Sequence, residues 1–359
     1  MTQTLLVTGA QGFVGRWFIA EALRRWPTYR IVGIGRSARR PTAFTHEITL
    51  GTHRVTAPLP SALSGDSDRF TYCIADIRKI ETLIPILRET CPTYVVHLAS
   101  ALRDDPPHML FPINVEGTIS LLTAIGQADV TPQAIVIGSS GSVYGSAASL
   151  PIGETDCCAP NDLYAISKYC AEMAATLFAR QTGLPIILAR LFNIVGPGLD
   201  ERHACARFAS QFAAISAGLA ERCIAIGDLS NTRDFIDVRD VAIAIAILLE
   251  RGVSGSTYNV ASGRETAMQT IFRTLEEQAN LEGEVRIKQS YRRFSDCPRA
   301  YADISRLLAL DFYPRWTLTE SLRSLYAYYV GSIAEVAGQT VATTPATSAA
   351  AVDGCPTHG

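Results

Sequence analysis

Neither sign of charge predominates in this chain of 359 residues: 32 lysines and arginines stand against 34 aspartates and glutamates. That balance gives no reason to expect nucleic acid or an anionic membrane as a principal partner. The nine cysteines include no Cys-x-x-Cys pair and are scattered, so they read as reduced thiols of a cytoplasmic protein. Long apolar runs are missing too. The longest, Val241 to Leu249, is about half of a membrane-spanning length; it follows the capping candidate Asp240 and reads as a core helix. Met1 leads almost directly into Thr-Leu-Leu-Val-Thr, which reads as a buried strand rather than a secretion signal.

What is present is alternation. Short apolar runs at 4–8, 30–35, 70–74, 94–98, 134–138 and 185–190 read as strands, and 12–25, 78–90, 114–128 and 164–182 read as helices. Strict alternation implies an α/β fold, a doubly wound parallel sheet whose ligand crevice lies at the carboxyl ends of the strands. Beyond Arg190 the pattern loosens into a helix near 205–217, a short strand at 223–226 and pieces interrupted by Gly and Pro. The expected organisation is a dinucleotide-binding domain over 1–190 and a smaller substrate-binding lobe over 191–335, with 235–262 returning to the first domain. Residues 36–69, rich in Pro, Ser, Thr and Arg, read as an elaborated loop or a partly mobile one. The stretch 338–359 lacks both period and large side chains, and a disordered tail is expected there.

Gly9-Ala-Gln11-Gly12-Phe13-Val14-Gly15 follows the first strand and opens a helix, the context that makes a glycine pattern a phosphate-binding turn. The glycines let the backbone approach a pyrophosphate, and the helix amides and dipole face the anion. At the end of the second strand an acid would accept bonds from the adenosine ribose. This chain has Gly35-Arg36-Ser37 followed by Arg39 and Arg40, so a 2′-phosphate is favoured and NADPH is expected, with NAD as the alternative. Asp76 and Ile77 after the third strand are candidates for the adenine edge. Leu98, Ala99 and Ser100 end the fourth strand near the cofactor, whereas His97 reads as a packed strand histidine.

Tyr164 and Lys168 stand one helical turn apart downstream of Gly138-Ser-Ser140-Gly141-Ser142-Val-Tyr144-Gly145. Residues four apart share a helix face, so the cation is expected beneath the phenol, favouring the phenolate and bringing the Tyr164 pKa toward neutrality.

Taken in order, the Gly-rich turn, His97-Leu-Ala-Ser100, Asn114-Val-Glu-Gly-Thr118, the hydroxyl-rich strand end and Tyr-x-x-x-Lys resemble the extended short-chain dehydrogenase/reductases, the nucleotide-sugar epimerase, dehydratase and reductase group. The likeness covers residues 4 to about 328, including 189–198 and 227–240. It implies an NAD(P)-binding Rossmann domain and a catalytic set in which Ser140 holds the reacting sugar oxygen, Tyr164 transfers its proton, and Lys168 orients the ribose and tunes Tyr164. Asn114 would prop the active-site helix through its backbone, and Leu191 and Ile194 would line the cofactor. In this group 4,6-dehydratases carry an Asp-Glu pair after the serine, and 3,5-epimerising reductases a Cys that works with a His. Gly141 and Ser142 can do neither, which leaves His203 and Cys205 structural or substrate-lining. Hydride transfer at C4 of a nucleotide-linked 4-keto-6-deoxyhexose, GDP-linked first, is therefore the implied reaction, with 4-epimerisation of a UDP-sugar as the alternative and a non-catalytic redox-sensing module as the rival from another class. By the same resemblance Ser140, Gly141, Ser142, Asn193 and Arg207 would meet the substrate, Arg233 and Arg293 would clamp its phosphates, and Asp296 would sit near the nucleoside ribose. Asp234 and Asp237 read as capping residues, and no metal is expected. A homodimer through a four-helix bundle built from 114–128 and 164–182 is the assembly the resemblance implies.

Overall fold

The computed structural model describes residues 3–65, 67–281, 283, 285–289 and 297–342. From the N-terminus the chain runs β1 (Thr4–Thr8), α1 (Phe13–Arg25), β2 (Arg30–Gly35), β3 (Ala43–Leu50), β4 (His53–Pro58), β5 (Phe70–Ile74), α2 (Ile80–Thr90), β6 (Tyr94–His97), α3 (Pro107–Phe111), α4 (Gly117–Gln127), β7 (Ala134–Ser140), α5 (Leu163–Thr182) and β8 (Ile186–Leu191). It continues through β9 (Asn193–Val195), α6 (Ala204–Ser216), β10 (Cys223–Ile226), β11 (Thr232–Asp237), α7 (Val238–Arg251), β12 (Thr257–Val260), β13 (Glu265–Ala267), α8 (Met268–Ala279), β14 (Arg286–Gln289), β15 (Arg299–Ala300), α9 (Ser305–Leu308) and α10 (Leu318–Ala342).

Seven parallel strands form the main sheet in the order β12-β8-β7-β6-β1-β2-β5. All five residues of β1 are buried, as a strand covered on both faces requires. One face is covered by α1 and α7. The run Ala242-Ile-Ala-Ile-Ala-Ile-Leu-Leu249 is buried throughout, and its alternating alanines let α7 approach both the sheet and α1. On the other face lie α2, α4 and α5. The strand order reverses between β1 and β6, and that switch point is where a doubly wound sheet opens its crevice.

Helix α5 begins where the Asp162 side chain accepts from the Ala165 N–H at 2.8 Å, and it ends at Gly183, whose φ of +73° suits a left-handed cap. The helical segment 107–127 is long and apolar enough to cross a membrane by length and composition. It packs on α2 and α5, with half of its apolar window buried, and serves as a core helix. A π-turn over Pro112–Glu116 interrupts it and places Asn114 against the neighbouring strand end.

A second core gathers α6, α8 and α10 around Phe208, Phe212 and Phe272. Residues 36–69, expected as a loop, hold the β3–β4 hairpin and a 3₁₀ turn at Ser61–Leu63. Phe44, Ile48, Leu50 and Ala57 are buried in the second core, so the hairpin, which follows β2 of the main sheet, packs against α6 and α10. The expected tail also needs correcting at its start, since α10 runs to Ala342; the rest of 338–359 lies outside the described residues. The eight described cysteines are unpaired thiols.

Candidate active site

The glycine-rich turn has the shape a phosphate needs. Gly9 has φ +69°, and a Cβ there would stand 2.7 Å from the backbone of Leu98 and Ala99. One on Gly15 would run into the Gly9 carbonyl, and Gly12 N–H closes the turn on Gly9 O at 3.0 Å. The first turn of α1 has neither a capping side chain nor an acidic residue. Its amides are left for an anion, so this turn fits the pyrophosphate of a dinucleotide.

Beside it, the Gly35–Arg40 loop is tied down from beneath. Gln11 Nε2 donates to Ala38 O at 3.0 Å and to the Tyr72 hydroxyl at 2.8 Å, and Tyr72 donates to Ser37 O at 2.8 Å. Arg36 is exposed at the end of β2, Ser37 is partly covered, and Arg39 lies over the Phe70 ring. Asp76 is gripped by Arg78 through two contacts at 3.0 and 2.6 Å, and that hydrogen bonding holds its carboxyl down to about 2. Ile77 is buried against Gly117. His97 is a packed strand residue: its ring nitrogens meet Thr8 Oγ1 at 2.7 Å and Thr118 Oγ1 at 3.0 Å, and burial lowers its pKa to about 3.

Ser140, Tyr164 and Lys168 converge on the carboxyl end of β7. Ser140 Oγ accepts from Ser142 N at 3.2 Å and from Ser142 Oγ at 2.9 Å, and its hydroxyl is the neighbour that most favours the Tyr164 phenolate. Lys168 Nζ donates to Gly138 O at 2.7 Å. The expected acidification of Tyr164 by Lys168 is not what the structure shows. Burial raises the phenol above its ordinary value; Ser140 and Arg103 pull it down by less, and Asp162 pushes it further up. The ammonium is committed to a strand carbonyl, and the cation over the Tyr164 ring is Arg103, 5.7 Å from its centroid and paired with Asp162 at 3.0 Å. Burial brings Lys168 down to about 8, against an opposing pull from Glu172 one turn further on.

Glu172 and Arg190 form a buried ion pair at 2.7 Å that sequence reasoning missed. Glu172 repeats the four-residue spacing of Tyr164 and Lys168 on α5, a signal that could have found it. Arg103 follows a strand end and carried no such signal. Asn114 joins the layers: its Oδ1 accepts from Ala101 N at 2.8 Å and Ser100 Oγ at 2.9 Å, and its Nδ2 donates to Ser167 Oγ at 2.9 Å on α5. It therefore props α5 through its side chain rather than its backbone, and the same amide holds the backbone of residue 101. Leu98, Ala99, Leu191 and Ile194 stand at or just beyond strand ends, partly covered.

A side chain on Gly141 would meet the Phe192 ring at 2.9 Å, which explains the glycine. Cys205 is buried, its thiol pushed up to about 12, and it is inert. On the lobe side, Asn193 is exposed and donates to Asp234 O at 3.0 Å, Arg233 is half-buried on β11, and Arg207 Nε donates to Glu201 O at 3.1 Å. Asp234 accepts from Ser262, Gly263 and Ala302, and Asp237 caps α7, so both are structural. Arg293 and Asp296 lie outside the described residues. Among the described residues no His, Cys, Asp and Glu cluster is arranged to hold a metal.

Residues 5–261 match the model of the NAD dependent epimerase/dehydratase family. The chain is 30% identical to GDP-6-deoxy-D-mannose reductase of Pseudomonas aeruginosa over 347 residues, 93% of this chain and 100% of that protein. It is 26% identical to UDP-glucose 4-epimerase of Mycolicibacterium smegmatis, over 90% of this chain and 97% of that one. A solved structure of RMD from Pseudomonas aeruginosa complexed with NADPH resembles it with a TM-score of 0.73 and 29% identity, covering 92% of this chain and 100% of that one.

Proposed function

Because this chain belongs to the NAD dependent epimerase/dehydratase family and is thus an NAD(P)-dependent enzyme of the extended short-chain dehydrogenase/reductase group, we propose that it reduces the C4 ketone of a nucleotide-linked 4-keto-6-deoxyhexose with NADPH. GDP-4-dehydro-6-deoxy-D-mannose, giving GDP-D-rhamnose, is the substrate favoured by the likeness to GDP-6-deoxy-D-mannose reductase. The observation that carries the reading is a phenol kept protonated by burial, with Ser140 as its neighbour and with no acid or base at residues 141 and 142.

When bound, the nicotinamide supplies the hydride. Tyr164 delivers its proton to the alkoxide emerging at C4, a task that suits a phenol whose pKa is raised rather than lowered. Ser140 already accepts two bonds from Ser142, which leaves its own proton to steady that oxygen. Lys168, Gly138 O and Glu172 set a positive charge beneath the site. Gly9, Gln11, Gly12, Phe13, Val14 and Gly15 cradle the pyrophosphate, and Arg36, Ser37 and Arg39 take the 2′-phosphate in the absence of any acid from Gly35 to Arg40. Asn193, Arg207 and Arg233 serve the nucleotide sugar. Exposed Phe111, Ile119, Met173 and Leu177 on α3, α4 and α5 supply the apolar face of a cytoplasmic homodimer.

A 4-epimerase acting on a UDP-sugar is the second reading, supported by the likeness to UDP-glucose 4-epimerase. Offering the purified protein GDP-, UDP-, dTDP- and CDP-linked 4-keto sugars with NADPH or NADH, and in parallel a UDP-hexose with NAD, separates the two. One NADPH consumed per GDP-linked alcohol formed is the expected result. Epimerised UDP-hexose formed with no net consumption of reduced cofactor would overturn the reductase reading.

A further inference from the structure

Tyr72 has no place in the proposed chemistry, yet it is built into the cofactor end of the crevice. It stands on β5, the edge strand beside β2, in register with Gly33. Its hydroxyl lies above Gly35, so that a Cβ added at residue 35 would run into it. The same hydroxyl accepts from buried Gln11 at 2.8 Å and donates to Ser37 O at 2.8 Å. Gln11 also donates to Ala38 O at 3.0 Å and accepts from the Arg40 amide and from Arg16 on α1. One phenol thus does two things. It occupies the space that a carboxylate at the end of β2 would need to reach an adenosine ribose, and it fixes the backbone from which Arg36, Ser37 and Arg39 project.

We infer that Tyr72, with Gln11 behind it, is the specificity-determining residue that excludes an acidic side chain from position 35 and presents the 36–40 loop to a cofactor 2′-phosphate. The inference rests on the NADPH reading above and names the device that enforces it. Neither side chain is a catalytic residue; both act through the loop they hold. Burial raises the Tyr72 phenol above its ordinary value, so the hydroxyl keeps its proton and remains a donor across the working pH range.

Dissociation constants for NADPH and NADH, read by nicotinamide fluorescence on the full chain, provide the test without recourse to turnover. Tyr72→Phe keeps the ring and removes both hydrogen bonds, and the NADPH-to-NADH affinity ratio is expected to fall about tenfold, the scale of one or two hydrogen bonds. Gly35→Asp alone is expected to weaken both cofactors, because the new side chain meets the phenol. Gly35→Asp with Tyr72→Ala opens the space, and NADH affinity is expected to rise at least about tenfold over Gly35→Asp alone. A ratio for Tyr72→Phe within about twofold of wild type, less than half a kcal/mol, would overturn the inference. So would a gain of NADH binding by Gly35→Asp that owes nothing to residue 72. Melting temperatures monitor folding; should Tyr72→Phe fold poorly, the coupling between positions 35 and 72 carries the test. Wild type binding NADH as tightly as NADPH would contradict the NADPH reading alone, while the 35–72 coupling still decides the inference about Tyr72.

Discussion

Two polar networks flank the cofactor crevice, and they are built to opposite plans. At the end proposed for the adenosine, Gln11 and Tyr72, bonded to each other, tie down the backbone of a single loop at residues 37, 38 and 40. At the other end, Lys168, Glu172, Arg190 and Tyr144 hold charge against charge beneath the sheet. Arg190 pairs with Glu172 at 2.7 Å and lies 4.6 Å from the Tyr144 ring centroid, whose hydroxyl donates to Asn259 at 2.7 Å. The first plan shapes a loop on which Arg36 and Arg39 are exposed. The second keeps cations in a place water does not reach, where each charge depends on its partner. Changes to the first should alter recognition while sparing the fold, and changes to the second should cost stability before they touch recognition.

The sharpest break in that comparison comes from Arg190→Met. It leaves Glu172 ionised and buried without its partner, and a loss of about 3–5 kcal/mol is expected from urea denaturation. Loss of NADPH selectivity with unchanged stability would reverse the assignment of roles. His97, between the two networks, gives a smaller effect that depends on pH. The unfolded imidazole takes up a proton near 6.5, whereas the folded one resists until about 3. Within that window the unfolded chain binds more protons, so stability falls as pH drops below 6.5, by about 2 kcal/mol at pH 5. In His97→Gln that acid slope should flatten, as seen in denaturation midpoints measured from pH 7 to pH 5; an unchanged slope would remove the buried histidine from the account. The smallest effect belongs to the exposed end. Arg36→Ala should weaken NADPH binding about tenfold, the worth of one charge-assisted contact, and leave NADH binding and the melting temperature unchanged. A fall in both affinities together would mean that Arg36 supports the loop rather than reading the phosphate.

The main sheet was legible because its signals are local. Six of its strands are short apolar runs punctuated by helices, and their bounds in the structure lie within one or two residues of the expected ones. The β3–β4 hairpin was not, although Phe44, Ile48 and Leu50 recur at even spacing. Proline, serine and arginine around it mask the pattern, and the surfaces that bury it, on α6 and α10, come more than 150 residues later in the chain. The start of the 107–127 segment was hidden by Pro107 and Pro112; proline suits a first helical turn, and the π-turn absorbs the second. In the site, the spacing of Tyr164 and Lys168 correctly placed both on one stretch of helix. It could not tell that Lys168 would turn to the Gly138 carbonyl, because that acceptor comes from another strand. Electrostatic environment is a property of the packed fold, and the direction of the Tyr164 shift was therefore the reading that had to be reversed.

Tyr164→Phe isolates the proton from everything else the site does, because it preserves the ring, its contact with Arg103 and the packing of α5. Single-turnover mixing with NADPH and GDP-4-dehydro-6-deoxy-D-mannose, alongside a direct NADPH titration of the same preparation, is the measurement. NADPH is expected to bind as in wild type and hydride transfer to slow at least about 100-fold. Transfer at the wild-type rate would show that the alkoxide takes its proton from elsewhere, and the assignment of this phenol as the donor would be wrong.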